Sequence, residues 1–146
     1  MDKEKPVKKE RFDDYIRRFN ERDTTAFDEY LDPHMHMHNG TLEFDGVQGM
    51  KDHYAKIWPT FTEWLRVDQF VSDNDSVAIK MYTLFTADRD DPHSLFGPVR
   101  AGETFEFNGV ILYALKDDRF ARILVAYNSF VFTDLAGTRT DLGIPH

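Results

Sequence analysis

Phe12, Tyr15, Ile16 and Phe19 recur at i, i+3, i+4 and i+7, the spacing of one face of an amphipathic helix. Arg17, Arg18 and Glu21 take its wet side. A second short helix is expected over TTAFDEYL, with Phe27, Tyr30 and Leu31 as its buried stripe and Thr25 with Asp28 as a capping box. Pro33 ends it and sends the chain into extended geometry. HMHMHNG then alternates with period two and closes on Asn-Gly, a strong hairpin signal, with TLEFDG as the return strand. A third helix is expected over VQGMKDHYAKIWPTF. Its stripe is Met50, Tyr54, Ile57, Trp58 and Phe61, and Pro59 closes or kinks it.

Downstream the period is that of strands. WLRVDQFVS leads through the turn DNDS to VAIKMYTLFTA, and ETFEFNGVILYALK pairs across DDRF with ARILVAYNSFVF. The insert DRDDPHSLFGPVRAG between them reads as a polar, mobile loop or lid. Helices first and long antiparallel strands afterwards make an α+β layout. The expected architecture is three N-terminal helices packed on a strongly curved antiparallel or mixed sheet that encloses a pocket. Residues 11–134 form the single domain, residues 1–10 a flexible charged tail and residues 135–146 a polar C-terminal tail.

Composition narrows what such a fold can meet. The 146 residues carry a net charge of −8, which argues against a nucleic-acid partner, because phosphate backbones require clustered Lys and Arg. The basic cluster at the start, MDKEKPVKKER, mixes lysines with acids and reads as a solvated tail. No apolar run approaches a membrane span and no signal-type apolar region follows Met1. Cysteine is absent, which removes disulfide and thiolate chemistry; the expectation is a cytoplasmic protein with no membrane partner. Thirteen phenylalanines and six tyrosines can fill a core or line a cavity for an organic molecule. No phosphate loop, flavin motif or nicotinamide fingerprint is present, so chemistry here is expected to be cofactor-free proton transfer.

The segments YIRRFNERDTTAFDEYL, HNG, GVQGMKDHY and LKDDRFARILVAYNSF, in that order, resemble the nuclear transport factor 2-like superfamily, from about Phe12 to Phe132. That group includes ketosteroid isomerase, scytalone dehydratase and small polyketide cyclases, and the resemblance implies a cone-shaped fold around a pocket. By the isomerase pattern, Tyr15 resembles the first-helix tyrosine that donates to the substrate oxyanion, and Tyr54 the third-helix tyrosine that supports it. Asn39 falls where the isomerase has its general-base aspartate, and Ile111 where it has its protonated aspartate. An amide lacks the basicity to abstract a proton, and Ile111 cannot donate a hydrogen bond. Steroid isomerisation is therefore not supported.

The candidates for chemistry start with His34, His36 and His38. If Asn39 faces the pocket, Met37 and Met35 do too and the histidines face away; a one-residue slip in register reverses this. His38, beside the turn, is expected to reach the pocket mouth. Three readings stay open: a strand whose imidazoles do nothing special, a general acid/base role for His36 or His38, and a metal site. His-x-His suits zinc or iron, but His53, His93 and His146 lie elsewhere and Glu43 is the one weak further ligand, so no metal is expected.

Strand parity places Ile111 with Phe105, Phe107, Gly109 and Tyr113 on the inward side, and Asn128 inward with Ala126 and Phe130 on the last strand. A buried amide without a partner costs about 1–3 kcal/mol, so Asn128 would be held by ligand, by Tyr15 or by a carbonyl. Glu106 has the opposite parity and enters only if a bulge at Asn108-Gly109 turns it in. Trp58 and the phenylalanines would stack on a flat substrate.

These residues point to a cofactor-independent lyase of the dehydration or retro-aldol (deformylation) type. Its substrate would be a small aromatic or polyketide-like molecule, and by the resemblance a lignin-derived diaryl diol fits. Tyr15, aided by Tyr54, would polarise a substrate oxygen; His38 or His36 would move the proton; Asn39 and Asn128 would orient the substrate. An isomerase or cyclase, or a non-catalytic binding or dimerisation module, are the alternatives, with a His-ligated metalloenzyme as a minor one. A homodimer is expected through the sheet face that carries Lys80, Tyr82 and Leu84.

Overall fold

The computed structural model describes residues 4–143, with side chains from residue 8 onward; His146 and the two ends of the expected tails lie outside the described residues. The first apolar face folds as helix α1, Glu4–Asn20, burying Phe12, Tyr15, Ile16 and Phe19. The helix runs back through the lysine-rich segment, so residues 4–10 are helical where a tail was expected. Lys9 pairs with Asp13 one turn on, Nζ to Oδ2 2.9 Å, the i,i+4 pairing that supports exposed helix. Helix α2, Thr25–Tyr30, is capped differently from expectation: Asp23 Oδ1 accepts the Thr25 N–H at 3.0 Å, and no Thr25–Asp28 box forms.

Strand β1, Leu31–Asn39, and strand β2, Leu42–Asp45, make the Asn-Gly hairpin, and helix α3, Gly46–Ile57, follows. Helix α3 stops before Trp58, so Phe61 opens the next strand and is not part of the helical stripe. Strands β3, Phe61–Ser72, and β4, Ser76–Ala87, form a long hairpin. The expected polar loop is instead a small separate hairpin of β5, Asp91–Ser94, and β6, Gly97–Val99. Strands β7, Thr104–Lys116, and β8, Arg119–Thr133, complete the main sheet. The C-terminal segment adds β9, Arg139–Asp141, which pairs with Val131–Thr133 of β8.

The sheet order is β2-β1-β8-β7-β4-β3 with β9 on β8. Only β1 against β8 is parallel in it, which makes the sheet mixed. The helices cover its inner face, where Phe27, Leu31, Met35 and Phe61 are fully buried. The outer face, expected to be a dimer surface, exposes Lys80 and leaves Trp64, Val110, Leu112 and Leu124 between 39% and 50% accessible.

One irregularity decides which side chains face inward. Between Asn108 and Gly109 the β7–β8 register shifts: Gly109 pairs with Tyr127, and Asn108 with Ser129. Asn128 is the extra residue of a β-bulge, so parity changes across it. Ile123, Val125 and Tyr127 point inward before it, and Phe130 and Phe132 after it. Asn128 therefore lies exposed on the outer face, a correction to the inward placement that uninterrupted alternation gives.

Candidate functional site

Arg22 and Asn20 set the entry of β3. Arg22, in left-handed geometry at φ 60° after α1, donates to the carbonyls of Trp58 and Phe61 at 3.1 and 3.0 Å. Asn20 clamps the Leu65 backbone with two bonds, Nδ2 to Leu65 O 2.9 Å and Leu65 N to Oδ1 2.8 Å. With the strand so anchored, period two turns Phe61, Glu63 and Leu65 inward and Thr62, Trp64 and Arg66 outward. A carboxyl thus enters the core.

Glu63 is 6% exposed. It accepts one hydrogen bond, from Trp58 Nε1 at 3.3 Å. Burial pushes its carboxyl up to about 8, against the smaller opposing effects of the indole and of the Arg22 charge. Glu63 lines a cavity of about 130 Å³ together with Asn39, His53, Tyr54, Thr83 and Tyr127. Its apolar walls include Phe85, Phe107 and Ile111, and the β5–β6 hairpin adds Leu95 and Phe96 at its rim. His53, on α3, rests its ring on Phe44 (centroids 5.1 Å apart) and against Tyr54 (4.8 Å). Burial, aided by Lys56, lowers it to about 4.

Behind shared walls formed by Tyr54, Leu65, Ile111 and Val125 lies a smaller void of about 40 Å³ that Tyr15 and Tyr113 also line. Burial raises the pKa of all three tyrosines, Tyr15, Tyr54 and Tyr113, and none of their hydroxyls is hydrogen-bonded to a described residue. Phenols held neutral in this way remain donors toward an incoming oxygen.

Of the residues singled out from sequence, Asn39, Tyr54, Phe107 and Ile111 line the main cavity, and Tyr15 and Tyr113 the inner void. Trp58 does not line the cavity; it stacks on Tyr54 at 4.8 Å and holds Glu63. Phe105 is buried in the next layer, packed on Phe96 at 4.6 Å and Phe132 at 5.0 Å. Glu106 stays on the outer face, accepting from Tyr82 Oη at 2.5 Å and Arg139 at 3.1 Å, because the bulge falls in β8 and leaves its parity unchanged.

His36 and His38, expected at the pocket, are on the opposite side of β1 from the buried Met35 and Met37. His38 Nε2 is 3.0 Å from the Gly40 carbonyl. His36 sits between two carboxylates, Nδ1 to Asp45 2.7 Å and Nε2 to Glu43 3.0 Å. Asp45 first, then Glu43, raise its pKa above the ordinary 6.5. Both ring nitrogens are engaged, which suits an imidazolium cross-link of the β1–β2 hairpin and not a metal ligand. Among the described residues no group of three His, Asp or Glu is placed to hold a metal ion.

A raised histidine pKa stabilises the folded state below the unfolded value near 6.5, and the effect fades as pH rises through the folded value. His36→Gln should therefore lessen the decline in melting temperature as pH rises above about 6.5, leaving the part that Glu63 contributes; a decline as steep as the parent's removes His36 as a contributor.

The sequence pattern does not single out Glu63, because the apolar alternation of the strand is legible only from Trp64 onward. A carboxylate at the parity of Phe61 and Leu65 was the available signal.

The SnoaL-like domain family model matches residues 12–123. The chain belongs to the SnoaL-like family. Solved structures agree on the fold. A SnoaL-like polyketide cyclase from Agrobacterium tumefaciens is 15% identical, covering 89% of this chain and 93% of its own at a TM-score of 0.66. TsrD from Streptomyces laurentii is 21% identical over 94% and 93%, TM-score 0.66. An LEH-like epoxide hydrolase from M. tuberculosis is 9% identical over 81% and 80%, TM-score 0.65. A comparison with curated proteins found no match. Among the described residues of this SnoaL-like protein no helix is long and apolar enough to cross a membrane.

Proposed function

We propose that this SnoaL-like protein is a cofactor-independent acid–base enzyme. In this reading it is a lyase of the dehydration or retro-aldol type, acting on a small, uncharged aromatic or polyketide-like molecule that carries oxygen. The observation that carries the reading is Glu63, a buried carboxyl on the cavity wall with one indole donor. A glutamic acid raised to about 8 keeps its proton at neutral pH and can deliver it to a leaving oxygen. Tyr54 and Tyr15 would donate to a substrate carbonyl reaching toward the inner void, and Asn39 would orient the ring that lies between Phe107 and Ile111.

An uncharged substrate follows from electrostatics. With Glu63 protonated and His53 neutral the cavity bears no charge at pH 7, so a charged ligand would lose its hydration without a counter-charge. Cyclisation is the second reading, favoured by the solved structure described as a polyketide cyclase. Aldol closure and retro-aldol cleavage pass through one transition state and need the same proton transfers.

The test is turnover of a panel of aryl diols and hydroxyketones, followed by release of water or formaldehyde. Glu63→Gln should lower kcat by about 10²- to 10⁴-fold; an unchanged kcat would remove Glu63 and with it the proposed mechanism.

A further inference from the structure

The cavity holds a second ionisable side chain that this mechanism has not used. His53 comes from α3 and Glu63 from β3, consecutive elements whose side chains meet at one cavity. Unlike His36, His53 has no ring nitrogen hydrogen-bonded to a described residue. Its ring packs on Phe44 at an interplanar angle of 30° and meets Tyr54 at 75°, edge to face. An imidazole that is packed in place, unpaired among the described residues and on the cavity wall has the attributes of a base awaiting a proton.

We infer that His53 is the proton acceptor of this cavity and that Glu63 is its proton donor. The inference rests on the proposed acid–base function and extends it to a two-residue mechanism. In a dehydration His53 takes a proton from carbon, that electron pair forms the C=C bond, the C–O bond breaks, and Glu63 protonates the departing oxygen so that water leaves. In a retro-aldol step His53 takes the hydroxyl proton, a C=O bond forms, the C–C bond breaks, and Glu63 protonates the enolate released. Each turnover leaves an imidazolium and a carboxylate, and one proton returned from His53 to Glu63 through solvent resets the pair.

The surroundings suit this assignment. Lys56, on the same helix, disfavours a resting charge on His53; β2 presents the Phe44 ring, and β1 the neutral Asn39. Glu63 has Trp58 as its donor, with Arg22 the positive charge acting on it, and the phenols of Tyr15 and Tyr54 nearby. Burial moves the two groups in opposite directions, His53 to about 4 and Glu63 to about 8. Between those limits the base is free and the acid is loaded.

Nitrobenzisoxazole separates the two roles, because its ring opens once a base removes one carbon-bound proton and needs no acid. The parent should show a rate plateau between about pH 5 and pH 7 from His53, then a further rise near pH 8 as Glu63 ionises. His53→Gln should lose the plateau by roughly tenfold or more and keep the rise; Glu63→Gln should do the reverse. A plateau that survives in His53→Gln overturns the inference, whereas a rise that survives in Glu63→Gln overturns the role of Glu63. As a second readout, the His53 ring resonances should shift when the probe is added to saturation. Resonances that do not move place His53 outside the ligand site and also overturn the inference.

Discussion

Glu63→Gln is expected to be inactive yet more stable than the parent at alkaline pH. The sign follows from where the proton sits. In the unfolded chain the carboxyl titrates near its ordinary 4.5, and in the folded protein near 8. Between those values the folded state binds the extra proton, so stability falls as pH rises through this window and the loss is complete above 8. At about 1.4 kcal/mol for each pH unit, the loss is on the order of 3–5 kcal/mol. Glutamine keeps the shape, has no charge to bury and retains an oxygen for the Trp58 indole, so the variant should lack this decline. Melting temperatures measured from about pH 5 to pH 9 should diverge, with the variant higher at the alkaline end. Parallel curves would mean that Glu63 is not protonated in the fold. Lost turnover with gained stability is the pattern of a residue kept for chemistry at a cost in stability.

Gly109→Ala should be among the most damaging single substitutions in the sheet. Gly109 is not required for an unusual φ; it is required for space. A β-carbon there would lie 2.4 Å from Tyr127 Cα and 2.5 Å from the Ala126 carbonyl oxygen. Both are backbone atoms at the bulge and cannot rotate away. Relief demands that β7 and β8 separate or that the bulge move, at a cost of about 3 kcal/mol or more. Since the bulge directs Tyr127 and Phe130 inward, a surviving fold should also have an altered cavity. Chemical denaturation of Gly109→Ala beside Ala126→Gly, a control on the exposed side, would show the difference; equal midpoints would mean that the strands do not approach this closely.

The element order could be read from periodicity because the apolar faces are strong. Phe12 to Phe19 on α1 and Phe105 to Tyr113 on β7 follow uninterrupted 3.6 and 2.0 periods, and burial matches them. Alternation also gave the conditional result that Asn39 inward means histidines outward. The sequence did not show that His38 stays out despite lying next to the turn, because its orientation depends on β1 pairing with β8, a contact between residues about ninety positions apart. The outward position of Asn128 is hidden for a similar reason: one extra residue on β8 reverses parity, and nothing local in AYNSF marks it.

The polar members of the site were the least legible. Tyr15, Tyr54 and Asn39 could be inferred from a resemblance, but Glu63 and His53 are brought to one cavity by packing of α3 against the sheet. A histidine on a helix and a glutamate near a strand end resemble surface residues until the neighbouring elements are placed. Conversely the His-x-His pattern looked chemical, and its nitrogens are engaged by Glu43, Asp45 and Gly40.

The most direct measurement is a carbon NMR titration of the Glu63 side-chain carboxyl in the ligand-free protein. A midpoint near 8 is expected, well above that of a solvated glutamate. A midpoint among those of solvated glutamates, about 4.3, would show an ionised carboxylate at neutral pH and would contradict Glu63 as the proton donor.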